Sequence, residues 1–191
     1  MPRQNDPAGP RFRTAGPGDA AAIARLHADS WRRHYRGAFA DDFLDRDVEG
    51  YLRPVWAERL AVPDPRARTI LAEHDGVVTG LAHTLLGEDP AWGALLDNLH
   101  VAYGLKGQGI GTRLLALTAR AILDAAPSSG LYLWVLEQNS AARAFYAARG
   151  GTCVGREPAP APGGDPARLN GTPMGLRYAW PDPSELSRLP V

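Results

Sequence analysis

The most constraining feature of this chain is an apolar strand that runs into a glycine-rich turn and then into a helix. The apolar run covers residues 95–101, and four glycines follow it at Gly104, Gly107, Gly109 and Gly111. Beyond them, apolar residues recur at helical spacing, at Ile110, Leu114, Leu117 and Ala121. A strand this apolar is typical of the centre of a sheet, where both faces are covered. We therefore expect the fold to be organised around this strand–turn–helix unit.

The glycine-rich turn is suited to hold a phosphate group through backbone amides. The first N–H groups of a helix have no partner inside the helix, and the helix dipole adds positive potential at the same end. Glycine lets the backbone approach a diphosphate without a clash from Cβ. A chain with balanced charge, 21 basic and 21 acidic residues, can therefore bind an anion here without a cationic side chain.

Two common nucleotide-binding motifs do not fit the glycine cluster. A dinucleotide fingerprint, Gly-x-Gly-x-x-Gly, would need a third glycine after Gly107 and Gly109 at the position that Thr112 occupies. A P-loop would need Gly-Lys-Ser/Thr after four spacer residues, and the chain has no such run. These mismatches argue against a regulator that binds ATP or NAD, which stays as an alternative function.

Periodicity and turn signals divide the rest of the chain into strands and helices. A short strand near Phe12 precedes helices at about 20–35 and 41–60. Asp75-Gly76 is a strong hairpin turn between strands at 69–72 and 77–86. After the central unit come a strand at 131–136, a short helix capped by Asn139, and closing strands at 152–155 and 174–180. This order predicts an α/β fold with a mixed, mostly antiparallel central sheet flanked by helices on both faces.

Length and composition predict one domain. The chain has 191 residues, 45% of them hydrophobic, and we expect a disordered leader at 1–10, the domain at 11–180 and a loosely attached tail at 181–191. No basic block indicates nucleic-acid binding, and no apolar run indicates a signal peptide or membrane span. The single cysteine, Cys153, excludes an intrachain disulfide and is expected to be a buried structural thiol. A cytoplasmic protein with no membrane partner is the expectation.

Two segments resemble the signatures of the GNAT superfamily of N-acetyltransferases. Lys106-Gly-Gln-Gly-Ile-Gly111 is similar to the pyrophosphate loop of that family, Gln/Arg-x-x-Gly-x-Gly/Ala, with lysine at the first position. Asn139-Ser-Ala-Ala-Arg-Ala-Phe-Tyr146 matches the second signature, Asn-x-x-Ala-x-x-Phe-Tyr. The segment 30–37 also resembles the first helical region of many bacterial members. The resemblance covers residues 11–180, with both signatures in the family's order and separation.

The resemblance implies acetyl-CoA as cosubstrate, with no metal, and a small-molecule or peptide amine as acceptor; a homodimer is left open. In the family, coenzyme A lies where the central strand and the next one splay apart. Backbone groups of Leu99, His100 and Val101 would then bond the pantetheine arm like an added strand. The pyrophosphate would lie on Gly107, Gln108, Gly109, Ile110, Gly111 and Thr112. Asn139 would reach the pantetheine, and Tyr146 would lie near the sulfur.

Tyr146 is the candidate general acid, and Asp97 and His100 are candidate bases. The reference pKa of tyrosine, about 10, is near that of a thiol, so protonation of the departing thiolate would be roughly balanced. Strand alternation places Asp97 on one face and His100 on the other with Asn98, so we do not expect them to act as a pair. Each of these residues can instead be structural. His83 is a third candidate base, and the resemblance also allows deprotonation through ordered water.

Trp31 and Tyr35 are the candidate acceptor-binding residues. They stand at i and i+4 of a predicted helix and so share a face. They can either pack in the core or form an aromatic wall of an acceptor pocket, together with the loop 158–164. A non-catalytic acyl-CoA sensor on the same fold is a further alternative, which the presence of Tyr146 disfavours.

Overall fold

A single seven-stranded sheet forms the centre of the computed structural model, which describes residues 9–190. The expected disordered leader falls mainly on residues 1–8, which lie outside the described residues. The strands are β1 (Arg11–Thr14), β2 (Ala67–His74), β3 (Val77–Asp89), β4 (Gly93–Val101), β5 (Leu131–Leu136), β6 (Thr152–Pro158) and β7 (Met174–Trp180). Their order in the sheet is β1-β2-β3-β4-β5-β7-β6, and only the β4–β5 pair is parallel. The predicted mixed, mostly antiparallel sheet is confirmed.

Helices cover both faces of this sheet. They are α1 (Ala20–His34), α2 (Val48–Ala61), α3 (Ile110–Ala125), α4 (Ser140–Ala147) and α5 (Ser184–Ser187). Helices α3 and α5 pack against one face and form one hydrophobic core with it. Helices α1 and α2 pack against the other face and form a second core. Neighbouring residues of the same strand divide between the two: Leu71 belongs to the α1/α2 core and Ala72 to the α3 core. Strand alternation therefore explains why a sheet this apolar is buried on both sides.

The local signals place most element boundaries correctly. The predicted strands at 131–136 and 174–180 match β5 and β7, and Asp75 and Gly76 both have positive φ, as their turn type requires. The predicted helix at 41–60 is continuous helical backbone, but a π-helical turn, Phe43–Asp47, interrupts it near its start, before α2 begins. No helix among residues 9–190 has the length and apolar character needed to cross a membrane.

The C-terminal segment does not behave as the loose tail that the sequence predicts. Leu186, on α5, is 2% exposed and belongs to the α3 core. The carbonyl of Ser187 accepts a hydrogen bond of 2.8 Å from Nε of Arg120 on α3. The segment is polar and rich in proline overall, so its two leucines, Leu186 and Leu189, were too weak a signal to predict its docking.

A β-bulge at Asp97 changes which side chains of β4 share a face. His83 lies opposite Asn98 and Thr84 lies opposite Leu96, so Asp97 has no partner on β3. Before the bulge, Leu96 packs in the α3 core; after it, Leu99 and Val101 pack there. One extra residue reverses the alternation of the strand. Asn98 and His100 are thereby turned toward α1 and α2.

Candidate functional site

The site begins where two neighbouring strands separate. Strands β4 and β5 are paired only at Ala94–Leu131 and Leu95–Tyr132, and beyond these pairs they diverge. Strand β4 stays paired with β3 as far as Val101, so the backbone edge that faces β5 is the free one. The divergence opens a cavity of about 1070 Å³ that also reaches α1, α2, the start of α3 and β6. Leu99, His100 and Val101 all line it.

The glycine-rich turn lies at one end of this cavity and leads into α3. Gly107 and Gly109 have φ of +81° and +84°, in the left-handed region that favours glycine. A Cβ at either position would meet no atom within 4 Å, so the space beside the turn is open. The first N–H groups of α3 lack helical partners and lie beside this space. The turn therefore has the features of an anion cradle.

Not every residue of the predicted cradle has the same role. A Cβ on Gly111 would lie 3.4 Å from the ring of Phe145, at ordinary van der Waals distance, so this glycine faces α4 and not the open space. The side chain of Ile110 is buried in the α3 core, and Gln108 is exposed. Neither of these two side chains lines the cavity, which leaves only their backbone groups for a ligand.

Thr112 is held by Arg149, which lies outside both sequence signatures. The Oγ1 atom of Thr112 accepts hydrogen bonds from Nε and Nη2 of Arg149, at 3.1 and 2.6 Å. The guanidinium carbon of Arg149 also lies 3.7 Å from the centroid of the Phe145 ring. Arg149 lines the cavity, so a cation stands beside the cradle. The sequence contains one indication of this role, because Arg149 follows Tyr146, the last residue of the second signature, by only three positions.

The bulge corrects the expectation that Asp97 and His100 lie on opposite faces. Asp97 bonds Arg59 of α2 at 2.8 Å and accepts a 2.6 Å hydrogen bond from Asn98. His100 makes a 2.9 Å hydrogen bond to Ser30 of α1. Both residues are therefore directed to the α1/α2 side and line the same cavity. Simple alternation failed because it assumes a strand without an inserted residue.

The histidines near the cavity are held in the neutral form. Burial, with smaller contributions from His34 and Lys106, lowers the pKa of His100 to about 3. Burial also lowers the pKa of His27, whose ring centroid lies 4.4 Å from that of His100. His83, the third candidate base, bonds Thr69 at 2.8 Å beneath Trp56 and does not line the cavity. His83 therefore lies outside the cavity that the other two candidate bases, Asp97 and His100, line.

Tyr146 and Asn139 both reach the cavity from α4 and its cap. Tyr146 is buried, and burial, with a smaller effect of Tyr35, raises the pKa of its hydroxyl, which therefore stays protonated. The Oδ1 atom of Asn139 accepts the N–H of Ala142 at 3.2 Å, which confirms the predicted helix cap. Both residues line the cavity, so the cap does not remove Asn139 from reach of a ligand.

Aromatic side chains form the α1/α2 side of the cavity. The rings of Trp31 and Tyr35 stack with centroids 5.5 Å apart and 20° between their planes. Both are half-buried, contact the α1/α2 core and also line the cavity. Burial, and then the charge of Asp97, raises the pKa of Tyr35 to about 12. The two proposed roles, core packing and a pocket wall, are therefore compatible.

Cys153 is exposed, which corrects the prediction of a buried thiol. It lies on β6, the edge strand, whose residues are mostly exposed. The prediction rested on the general tendency of cysteine to be buried and on the absence of a local His or acid, neither of which depends on where the strand lies in the sheet. Among residues 9–190, no cluster of three or more His, Cys, Asp or Glu side chains is arranged to hold a metal ion.

Comparison with known proteins gives one consistent result. The family model described as the acetyltransferase (GNAT) family matches residues 22–151. A probable N-acetyltransferase of Mycobacterium tuberculosis is 33% identical over 73% of this chain and 78% of its own length. An uncharacterized N-acetyltransferase of Bacillus subtilis is 28% identical over 90% of this chain and 92% of its own length.

The structural comparison agrees at the level of the fold. The PaiA N-acetyltransferase of Thermoplasma acidophilum, crystallised in complex with coenzyme A, superposes with a TM-score of 0.68. The match covers 91% of this chain and 100% of that one, at 17% sequence identity.

Proposed function

This chain belongs to the GNAT family of acetyltransferases, and from that premise we propose that it moves an acetyl group from acetyl-CoA to a primary amine by direct attack in a ternary complex. The observation that carries the proposal is the meeting of two features in one cavity. A free backbone edge, left by the divergence of β4 and β5, leads toward the glycine cradle at the start of α3. An extended arm that ends in a diphosphate would match both.

The residues that line the cavity fit coenzyme A. The free N–H and C=O groups of Leu99 to Val101 would hold the pantetheine arm as an added strand. The open space beside Gly107 and Gly109 would take the pyrophosphate at the positive end of α3. Arg149 adds a cation there. The fold neighbour from Thermoplasma acidophilum was crystallised with coenzyme A, which supports this assignment.

Tyr146 is the proposed general acid. When bound, acetyl-CoA supplies the thioester carbonyl that an amine attacks, forming a C–N bond and breaking the C–S bond. Burial keeps the hydroxyl of Tyr146 protonated but also makes it a weaker acid than the expected match with a thiol, so it would donate its proton to the sulfur only as the C–S bond breaks. The backbone N–H near Val101 would polarise the carbonyl. Most of the acceleration would come from positioning both reactants in one cavity.

Neither Asp97 nor His100 is a strong base for the amine. The pKa of His100, lowered to about 3, makes its imidazole a weak base. Asp97 lies on the cavity wall, and taking a proton would cost it the ion pair with Arg59 at 2.8 Å. We therefore propose that ordered water takes the amine proton and that Asp97 and His100 orient this water as polar groups of the wall.

Acetyl-CoA binding tests the cradle, with a matched control in the same loop. Gly109→Val places a side chain in the open space and strains a φ of +84°, so we expect the Kd for acetyl-CoA to rise at least about tenfold. Gly104→Val is the control, because a Cβ on Gly104 also meets no atom within 4 Å but its φ is not left-handed. Calorimetric titration gives both affinities. Normal binding by a folded Gly109→Val variant would show that the cradle is wrongly assigned.

Thiol release with a panel of amines tests the reaction itself. Acetyl-CoA should be consumed only when an amine is present, because the proposed attack needs no covalent enzyme intermediate. Acetyl-CoA binding without turnover of any amine would favour a non-catalytic sensor.

A further inference from the structure

Arg177 lies inside a cage of aromatic rings on the β5–β7 side of the cavity. Its guanidinium carbon is 4.6 Å from the ring centroid of Trp134, 5.3 Å from that of Trp92 and 5.6 Å from that of Tyr132. The strand register explains the cage, because Arg177 lies directly opposite Trp134 on β5 and Tyr132 lies two residues away on the same face. Rings on several sides hold the guanidinium in place and limit its contact with water.

The closest anionic partner of this cation, within the part of the chain that the structure describes, is the carboxylate of Glu157, in a long ion pair of 4.0 Å that is too far for a hydrogen bond. The side chain of Glu157 is 65% exposed, whereas that of Arg177 is only 19% exposed. The Nε atom of Arg177 is buried without a hydrogen-bond partner among residues 9–190. A shielded guanidinium of this kind gains more from an added anion than a solvated one does.

The carboxylate of Asp97, on the wall of the same cavity, is already matched by a cation. Asp97 bonds Arg59 at 2.8 Å, so its charge is compensated. The opposite side of the cavity is aromatic, with Trp31 and Tyr35 stacked on each other. A polycation would find no surplus of carboxylates here. A ligand with one anionic group and an apolar or planar body would match both the caged guanidinium and the aromatic side.

We propose that the acceptor is an amine that also carries a carboxylate, of the class of amino acids with apolar or aromatic side chains, and that Arg177 binds this carboxylate. This inference rests on the proposed function and specifies its acceptor. The carboxylate does not react; it orients the amine toward the thioester. Arg177 is therefore a specificity-determining residue, and its effect should appear in the acceptor kinetics alone.

The test compares each apolar or aromatic L-amino acid with its own primary amide, in the wild-type protein. The two members of a pair share the amine and the side chain and differ in the negative charge. The amide has the less basic amine and so more of the reactive free base, which makes any preference for the acid a binding effect. We expect kcat/KM to be at least tenfold higher for the best acid than for its amide. This comparison does not depend on the folding of any variant.

Two arginine variants test whether Arg177 causes the preference for the acid over its amide. Arg177→Gln should lower kcat/KM for the acid about 10- to 100-fold, since hydrogen bonds to charged groups contribute about 1.5–3 kcal/mol. The amide, and the KM for acetyl-CoA, should change little. Arg156→Gln is the matched control: Arg156 lies on neighbouring β6, bonds Glu137 at 2.8 Å and does not line the cavity. It should leave the acid-to-amide ratio unchanged.

The possible failures are distinguishable. Equal turnover of acids and amides, or faster turnover of amides, overturns the carboxylate proposal and leaves the proposed function intact. If the enzyme acetylates amines that lack a carboxylate but none of the amino acids in the panel, the carboxylate proposal is also overturned and the proposed function is left intact. A preference for acids that Arg177→Gln does not reduce removes Arg177 from the role. If acetyl-CoA neither binds nor is consumed with any amine, the proposed function itself fails.

Discussion

Mild acid should destabilise this protein because three histidines are buried in the neutral form. His27, His83 and His100 are 4%, 2% and 9% exposed. The ring of His27 lies beside those of Trp31, Trp56 and His100, and the ring of His83 also lies beside that of Trp56. Burial lowers the pKa of each, to about 4 for His83 and about 3 for His100. In the unfolded chain these three histidines take up protons near pH 6.5, and in the folded chain they do not. Stability is therefore present above about pH 6.5 and is lost as the pH falls toward 4.

The expected loss is large compared with the stability of a typical domain. Between pH 7 and pH 5, one histidine that is neutral when folded and ordinary when unfolded contributes about 2 kcal/mol. Three such histidines contribute about 6 kcal/mol, against total stabilities of about 5–15 kcal/mol. Carboxylates held ionised by arginines, such as Asp19 beside Arg13, lose their effect mainly below about pH 5. The window from pH 7 to pH 5 therefore reports on histidines.

Urea unfolding followed by tryptophan fluorescence at pH 7, 6 and 5 measures this loss. His83→Gln and His100→Gln should each lower the stability at pH 7 but reduce the pH-dependent loss by about 2 kcal/mol. His74→Gln is the control, because His74 lies at the end of a hairpin with 35% of its side chain exposed. A free energy of unfolding that changes by less than about 2 kcal/mol between pH 7 and pH 5 would refute the argument. So would a large loss that neither variant reduces.

Three further predictions concern the proposed acid, the aromatic side of the cavity and the C-terminal segment. Tyr146→Phe should lower kcat about 10²- to 10⁴-fold and leave the Kd for acetyl-CoA near that of the wild type; an unchanged kcat would remove the general acid. Trp31→Ala and Tyr35→Ala, if their melting temperatures are retained, should raise the acceptor KM and not the acetyl-CoA KM; no kinetic change would move the acceptor elsewhere. Leu186→Ala should lower the free energy of unfolding by about 2–5 kcal/mol in a urea titration, whereas a loosely attached tail would give no change.

The sequence by itself determined the elements that depend on neighbours along the chain. The turn at Asp75-Gly76, the cap at Asn139 and the glycines before α3 were all predicted correctly, because each depends on φ or on a hydrogen bond within a few residues. Strand β4 and helix α3 were predicted for the same reason. The cavity between β4 and β5 followed from resemblance to a family, not from periodicity.

Tertiary structure decided how the polar side chains are grouped. The bulge at Asp97 reversed the alternation of β4, and it exists only in the pairing of β4 with β3. Arg59 and Ser30, which bond Asp97 and His100, are separated from them by 38 and 70 residues. No local pattern records such contacts.

The cage around Arg177 has the same origin. It requires β7 to lie between β5 and β6, which brings Trp134 opposite Arg177 and the β3–β4 turn residue Trp92 close to both. The exposure of Cys153 follows from the same strand order, since it leaves β6 at the edge of the sheet. Strand order is set by the global packing of two cores, and the composition of one strand does not encode it. The sequence therefore identified the glycine-rich turn before α3, and only the fold brought together the polar and aromatic side chains that line the cavity.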